Sequence, residues 1–237
     1  MPPTRKQPVP AEGAAATFRK NFLLHLKAGF PILYVTTHEE QRAEREIHAA
    51  AADVKRPVFH WSVTKGWCQS VEGKPDVEIK AQIKDPLKAL QELHAIKGED
   101  AVFILRDFHF WLHPDASVII RQLRDMVYLP PVALKSTGRT IVVVSPVQVI
   151  PRELQKTITV VEFPMPTREE LGVVVADIED SMGASKAAIN NRTGLLDAMR
   201  GLTTSEGENT LSLAAVKHGN LGDVAIDTVH AEKANTF

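Results

Sequence analysis

The run AVFILRDFHFWLHP, Ala101–Pro114, places five apolar residues among the six that precede Asp107. It is too short for a helix and apolar on both faces, which is the pattern of a central strand in a parallel sheet covered by helices on each side. Asp107 then falls at the carboxyl end of that strand, where open α/β sheets form their ligand crevice.

Strands and helices alternate on either side of this run. Phe18, Phe22, Leu23 and Leu26 make one apolar helical stripe that begins near Thr17 and closes at Gly29. Phe30–Val35 reads as the first strand, ending in Thr36-Thr37, and the Ala- and Glu-rich segment from His38 to Val54 as a helix with Thr36 or Thr37 as its N-cap. Pro57–Ser62 is a second strand. The segment Val63–Ile83, with Lys65-Gly66 and Gly73-Lys74-Pro75, reads as loop. A helix over Pro86–Ile96 stops at Gly98, and the strand ending at Asp107 follows as the third. Val118–Val127 has helical periodicity, a linker Pro130–Gly138 follows, and Thr140–Pro146 and Ile158–Phe163 complete five strands. Strand–helix alternation of this kind predicts an α/β domain with a five-stranded parallel sheet and right-handed crossovers.

Beyond Pro166 the strand pattern ends. Thr167-Arg168-Glu169-Glu170 is a capping box opening a helix with Leu171, Val174, Val175 and Ile178 on one side. Further helices are expected near Leu195–Arg200, after the cap Thr203–Glu208, and over Asp223–Lys233. The expected organisation is therefore a disordered lead (1–16), a sheet domain (17–165) and a small all-α domain (166–237).

Composition narrows the functional classes. With 44% hydrophobic and 24% charged residues, the 237-residue chain has an ordinary globular make-up, and its formal charge of −1 argues against a general electrostatic hold on nucleic acid or anionic lipid. The one cysteine, Cys68, leaves no zinc-ligand spacing. No apolar run approaches a bilayer span, and the Pro- and Ala-rich beginning lacks the apolar core of a signal peptide, so the expected compartment is the cytoplasm. No Gly-x-Ser-x-Gly turn marks a hydrolase nucleophile.

An apolar strand closed by an acid is also how nucleoside triphosphatases place a magnesium-holding carboxylate, against the simpler reading of an Asp that caps the next turn. Here several segments agree with the first pattern. ILRDF (Ile104–Phe108) looks like a Walker B strand, IVVVSP (Ile141–Pro146) like a sensor-1 strand with Ser145 at its polar position, and GLTTSEGENTLSLAA (Gly201–Ala215) like a helix of the associated lid. Together with FPILYVTTHEE, HWSVTKG and IPRELQKTITVVEFPMPTREEL, they resemble the amino-terminal half of the Ycf-type AAA+ ATPases of plastids, cyanobacteria and other bacteria. The resemblance runs from about Phe18 to Lys233. It implies a P-loop NTPase-like domain with a helical lid, degenerate in this half, with ATP and magnesium handled by the family's other half.

A phosphate-binding loop, GxxxxGK[S/T], needs glycines that let the backbone wrap a phosphate and a lysine charge. The corresponding position holds Thr36, Thr37, His38, Glu39 and Glu40, with neither. Phe108 follows Asp107 where a second acid would polarise water. Lys65-Gly66 follows the second strand and lacks the other glycine. His109 and His113 have a four-residue spacing but Pro114 follows and no Glu lies between, so no metal site is assigned and both are read as lining the crevice mouth beside Trp111. Arg121, Arg124 and Arg139 read as solvated surface, with a neighbouring subunit as the other possibility.

The expected function is a non-catalytic AAA+-like module for protein–protein contact, with a separate ATPase half or subunit, or a further copy, as partner. Phe108, Phe110 and Trp111 are the candidate partner surface, weighed against burial in the core. The alternative is an ATPase with a divergent site built on Asp107 and Ser145. It requires a cation at the crevice, which only Lys65 or Arg106 could supply, so the direction of Arg106 discriminates between the two.

Overall fold

The computed structural model of the chain describes residues 13–70, 76–97, 100–182, 189–222 and 224–236. Two compact units result, one formed by Phe18–Pro164 and a second that contains Met165–Phe237.

Helix α1 (Ala14–Lys27) starts earlier than its apolar stripe suggests. The strongly helix-forming run Ala14-Ala15-Ala16 is helical and not part of a disordered lead, while residues 1–12 lie outside the described residues. Five strands are parallel: β1 (Ile32–Thr36), β2 (Val58–Ser62), β5 (Val102–Arg106), β6 (Thr140–Ser145) and β7 (Ile158–Glu162). Two more, β3 (Gly66–Ser70) and β4 (Val77–Lys80), pair antiparallel and extend the sheet beyond β2. The sheet is thus mixed and seven-stranded, in the order β4-β3-β2-β5-β6-β1-β7.

The hairpin corrects the loop reading of Val63–Ile83. Gly66 has φ +69°, and a Cβ there would sit 2.6 Å from the Lys80 carbonyl oxygen, so the glycine permits close strand approach as well as the turn. Trp67 is wholly buried, with its indole N–H donating to the Ala89 carbonyl at 3.3 Å. The Gly73-Lys74-Pro75 signal lies outside the described residues, as does Gly98.

Alternation along the parallel strands supplies two cores. Ile32, Tyr34, Trp61, Phe103, Leu105 and Val143 face Leu90 of α3 (Pro86–Glu92) and Leu123 of α4 (Ser117–Tyr128). Leu33, Val35, Val102, Ile104 and Val144 face Phe18 and Phe22 of α1 and Ile47 of α2 (Glu40–Asp53). Burial on both faces is why these strands read as nearly unbroken apolar runs. A four-residue helix, α5 (Leu134–Thr137), interrupts the expected linker before β6.

The second unit holds α6 (Arg168–Met182), α7 (Arg192–Met199), α8 (Thr204–His218) and α9 (Val224–Thr236) around Leu171, Val175, Leu195, Met199, Leu211 and Val229. The expected capping box at Thr167 forms, and the cap expected at Thr203 is a capping box as well. Thr167 and Glu170 exchange hydrogen bonds of 2.8 and 3.2 Å, and Thr203 and Glu206 ones of 2.7 and 3.1 Å. Asp223, expected to open the last helix, lies outside the described residues.

His60 is a buried titratable residue inside the sheet. It is fully buried on β2, and neither ring nitrogen makes a hydrogen bond among the described residues. Its Nε2 lies 3.1 Å from Asp76 Oδ2, and Asp76 Oδ1 accepts a 2.8 Å bond from the Ser70 hydroxyl. Burial, then the charge of Arg106, pushes the His60 pKa below its ordinary 6.5, against the pull of Asp76 and Glu44, with His48 adding to the lowering. The unfolded chain therefore takes up a proton at His60 first as pH falls. This contribution to stability is complete above about 6.5 and decreases below it, by at most about 1.4 kcal/mol per pH unit. Denaturant titrations from pH 7.5 to 5 should show a shallower acid loss for His60→Leu than for the native chain; parallel curves would contradict this assignment.

Candidate functional site

The crevice lies at the carboxyl ends of β1 and β6 and is lined by Thr37, His38, Glu40, Val144, Ser145 and Pro146, with a volume of about 300 Å³. Thr37-His38-Glu39 is the whole connection between β1 and α2. Neither Thr36 nor Thr37 is the helix N-cap. That position is Glu39, whose side chain makes no cap bond, while the Thr37 hydroxyl accepts the Glu39 N–H at 2.9 Å. The Thr37 N–H in turn donates to the Ser145 carbonyl at 2.9 Å.

The carboxylates at this helix start are engaged with arginines. Buried Glu39 pairs with Arg42 at 2.7 Å, and Arg42 also donates to the Pro164 carbonyl at 2.9 Å and lies 4.8 Å from the Phe163 ring centroid. Arg106 turns to the α2 face of the sheet. Its Nε and Nη2 donate to the two carboxylate oxygens of Glu44 at 2.7 and 2.6 Å, and its Nε lies 3.6 Å from Glu40 Oε1. Burial alone would lower the Arg106 pKa; the Glu44 hydrogen bonds and charge outweigh it, so the guanidinium is held above its ordinary range. Glu40 is raised, first by burial and then by Glu44, with Asp107 adding and Arg106 opposing. More carboxylate than cation thus surrounds the crevice mouth.

Asp107 directly follows β5 in a left-handed conformation (φ 53°, ψ 25°), its N–H bonded to the Val144 carbonyl at 3.0 Å and its side chain half exposed. The next residues, Phe108–Trp111, form a 3-10 turn. Phe108 is wholly buried and Trp111 partly so, each packed edge-on or tilted against Trp61 or the other. Of the three aromatic residues expected as a partner surface, only Phe110 is exposed, at 66%. The strand-end position read as the missing second acid has thus become part of the apolar core.

Ser145 is buried at the end of β6. Its hydroxyl donates to the Val147 carbonyl at 2.8 Å, accepts the Val147 N–H at 3.2 Å and lies 2.7 Å from His109 Nδ1. With the one hydroxyl proton on Val147, His109 donates from Nδ1. The Tyr34 hydroxyl donates to the same Val147 carbonyl at 2.6 Å and accepts the Val149 N–H at 3.2 Å. Sequence reasoning placed Ser145 at the crevice but missed Tyr34, whose polar tip on an otherwise aliphatic strand was the available signal. It also missed Arg42.

Other candidates lie elsewhere. Exposed Lys65 occupies the β2–β3 turn, with its N–H on the Ser62 hydroxyl at 3.2 Å. His113 is exposed beyond the 3-10 turn, 3.9 Å from Asp115, so it shares no helix face with His109. Arg121 pairs with Asp125, and Arg124 is exposed on the same helix. Arg139 departs from the surface reading. It is partly buried, reaches the Leu93 and Ile96 carbonyls at 3.4 and 3.3 Å, and lies 5.8 Å from the Phe103 ring centroid. Among the described residues no group of three or more His, Cys, Asp or Glu side chains is arranged to hold a metal ion, and no helix is long and apolar enough to cross a membrane.

The strand order and the crevice define the AAA+ class of α/β domain. Solved structures agree on the fold: a FIGL-1 AAA domain superposes with a TM-score of 0.60 at 10% identity, covering 93% of this chain and 80% of that one, and C. elegans PCH-2 gives 0.53 at 8% identity, covering 92% and 66%. Residues 18–163 match the family described as the SpoVK-like AAA ATPase N-terminal domain, and 169–237 match its second domain. The chain belongs to this SpoVK-like, Ycf-type AAA+ family. It is 31% identical over 219 residues to the "uncharacterized AAA domain-containing protein ycf46" of Guillardia theta, and 29% identical over 218 residues to that of Trieres chinensis. These alignments cover 92% and 91% of this chain but 41% of each relative, so the chain spans about two-fifths of their length.

The Ser145 hydroxyl joins β6, the 3-10 turn and the following loop. Ser145→Ala should lower unfolding free energy by about 1–3 kcal/mol, because the Val147 N–H and His109 Nδ1 lose their common acceptor. Denaturant unfolding measures this directly, and a change below about 0.3 kcal/mol would mean that water replaces the hydroxyl without cost.

Proposed function

We propose that this chain is a non-catalytic AAA+-like module for protein–protein contact, acting with the remainder of a Ycf-type ATPase or with a separate ATPase subunit. In this reading ATP and magnesium are bound and hydrolysed outside the chain. The observation that carries it is the three-residue β1–α2 connection, which ends in Glu39 and is followed at once by Glu40 of α2, so that two carboxylates stand where a triphosphate needs backbone N–H groups and a cation.

The residues at this position do not fit a magnesium triphosphate. There is no glycine to open the backbone and no lysine, and Arg106 is turned onto Glu44. A phosphate brought close to Glu40 would meet like charge at a cost on the order of a few kcal/mol. Asp107 could still approach a metal ion from its half-exposed position, but Phe108 offers no second acid and the Ser145 hydroxyl is already occupied by Val147 and His109. A fold can persist on its packing surfaces after losing chemistry, and the intact two-faced core is consistent with that use.

Isothermal titration of the chain with magnesium ATP tests the reading. The expected result is no binding heat at ligand concentrations up to about 1 mM, the upper end of ordinary substrate affinities. Magnesium-dependent binding that Asp107→Asn abolishes would instead establish the divergent ATPase built on Asp107 and Ser145.

A further inference from the structure

We propose that the rim formed by Phe110 and Val147, beside the acidic crevice, is a docking surface for a protein segment that presents a lysine or arginine next to an aromatic or aliphatic side chain. The inference rests on the crevice being free of nucleotide and names what takes its place.

Two features of the rim support it. First, the apolar groups are exposed yet held by a rigid backbone. Phe110 is 66% and Val147 52% exposed. The Ser145 hydroxyl holds the Val147 backbone through its N–H at 3.2 Å and the turn that carries Phe110 through the imidazole of the preceding residue, His109, whose Nδ1 lies 2.7 Å away. Phe110 is braced further by the His109 ring, 4.1 Å away between centroids, and by Phe108 and Trp111, which anchor the turn in the core. Val147 is braced by the Tyr34 hydroxyl on its carbonyl at 2.6 Å. Little conformational freedom remains to be lost on binding, which favours an anchor residue.

Second, the charge around the rim selects the partner. Glu40 lines the crevice and Asp107 stands half exposed one residue before the 3-10 turn. The neighbouring guanidinium, Arg106, is held bidentately by Glu44. The Glu40 carboxyl is raised first by burial and then by the charge of Glu44, so part of that elevation is uncompensated negative charge. A cationic side chain entering the crevice would relieve it, while its apolar neighbour covered Phe110 and Val147. An acidic segment would meet repulsion.

The test is selection of a phage-displayed random peptide library on the whole immobilised chain, followed by fluorescence-polarisation titration of the enriched peptides at low and high salt. Enriched sequences should pair Lys or Arg with an adjacent apolar residue. Phe110→Ser and Val147→Ser, each exposed and so expected to leave the melting temperature unchanged, should each weaken binding about tenfold. Glu40→Gln combined with Asp107→Asn, which keeps a residue tolerant of the left-handed conformation, should weaken it comparably and flatten its salt dependence. Failure to enrich any peptide, enrichment of acidic ones, or indifference to both serine variants would overturn the proposal. So would a concentration-dependent dimer that Phe110→Ser dissociates, since a second copy would then be the occupant. None of these outcomes bears on the nucleotide titration, so the two readings fail separately.

Discussion

The bidentate pair between Arg106 and Glu44 governs how the rest of the crevice is arranged. A guanidinium at the end of an otherwise apolar strand must find a partner or face solvent, and here it lies along α2 and takes both oxygens of one carboxylate. That contact fixes α2 over β5 and simultaneously removes the nearest cation from the crevice. Glu40, one helical turn earlier, is left with a looser 3.6 Å approach to the same guanidinium. The electrostatic character of the site follows from that division: one arginine serves two glutamates, with Asp107 close behind.

A second set of polar contacts lies on the opposite face of the sheet. Tyr34, Ser145 and His109 come from three separate parts of the chain and meet around the Val147 backbone. Such a network inside a partly buried site orders the loop after β6 and the turn after β5 together. The two sides of the sheet therefore reach the same rim by different means, ion pairing on the α2 side and hydroxyl bridging on the other. Both use side chains at the carboxyl ends of the strands, Arg106 on β5 and Ser145 on β6, for contacts within the fold.

The parallel strands were readable because burial on both faces leaves unbroken runs such as Thr140–Val144 and Ala101–Leu105. The helix caps at Thr167 and Thr203 were readable because their hydrogen bonds are local. The antiparallel pair Gly66–Ser70 and Val77–Lys80 was not, since its buried anchor, Trp67, lies among the Gly, Ser and Lys residues that usually mark loops. At the crevice the unusual loop composition was visible, but the outcome for Phe108 was not. Its burial depends on Trp61 and Trp111, and local sequence carries no sign of which aromatic in FHFW turns inward. The direction of Arg106 likewise depended on Glu44, a partner 62 positions away in sequence.

Hydrogen exchange of the Thr37–Gln41 backbone amides, with and without magnesium ATP, addresses the central claim at the atoms that would hold a phosphate. If the connection is committed to Thr37, Ser145 and the glutamate pairs, exchange at these amides stays unchanged across the nucleotide titration. Slowed exchange confined to them would place a phosphate at the start of α2 and contradict the account.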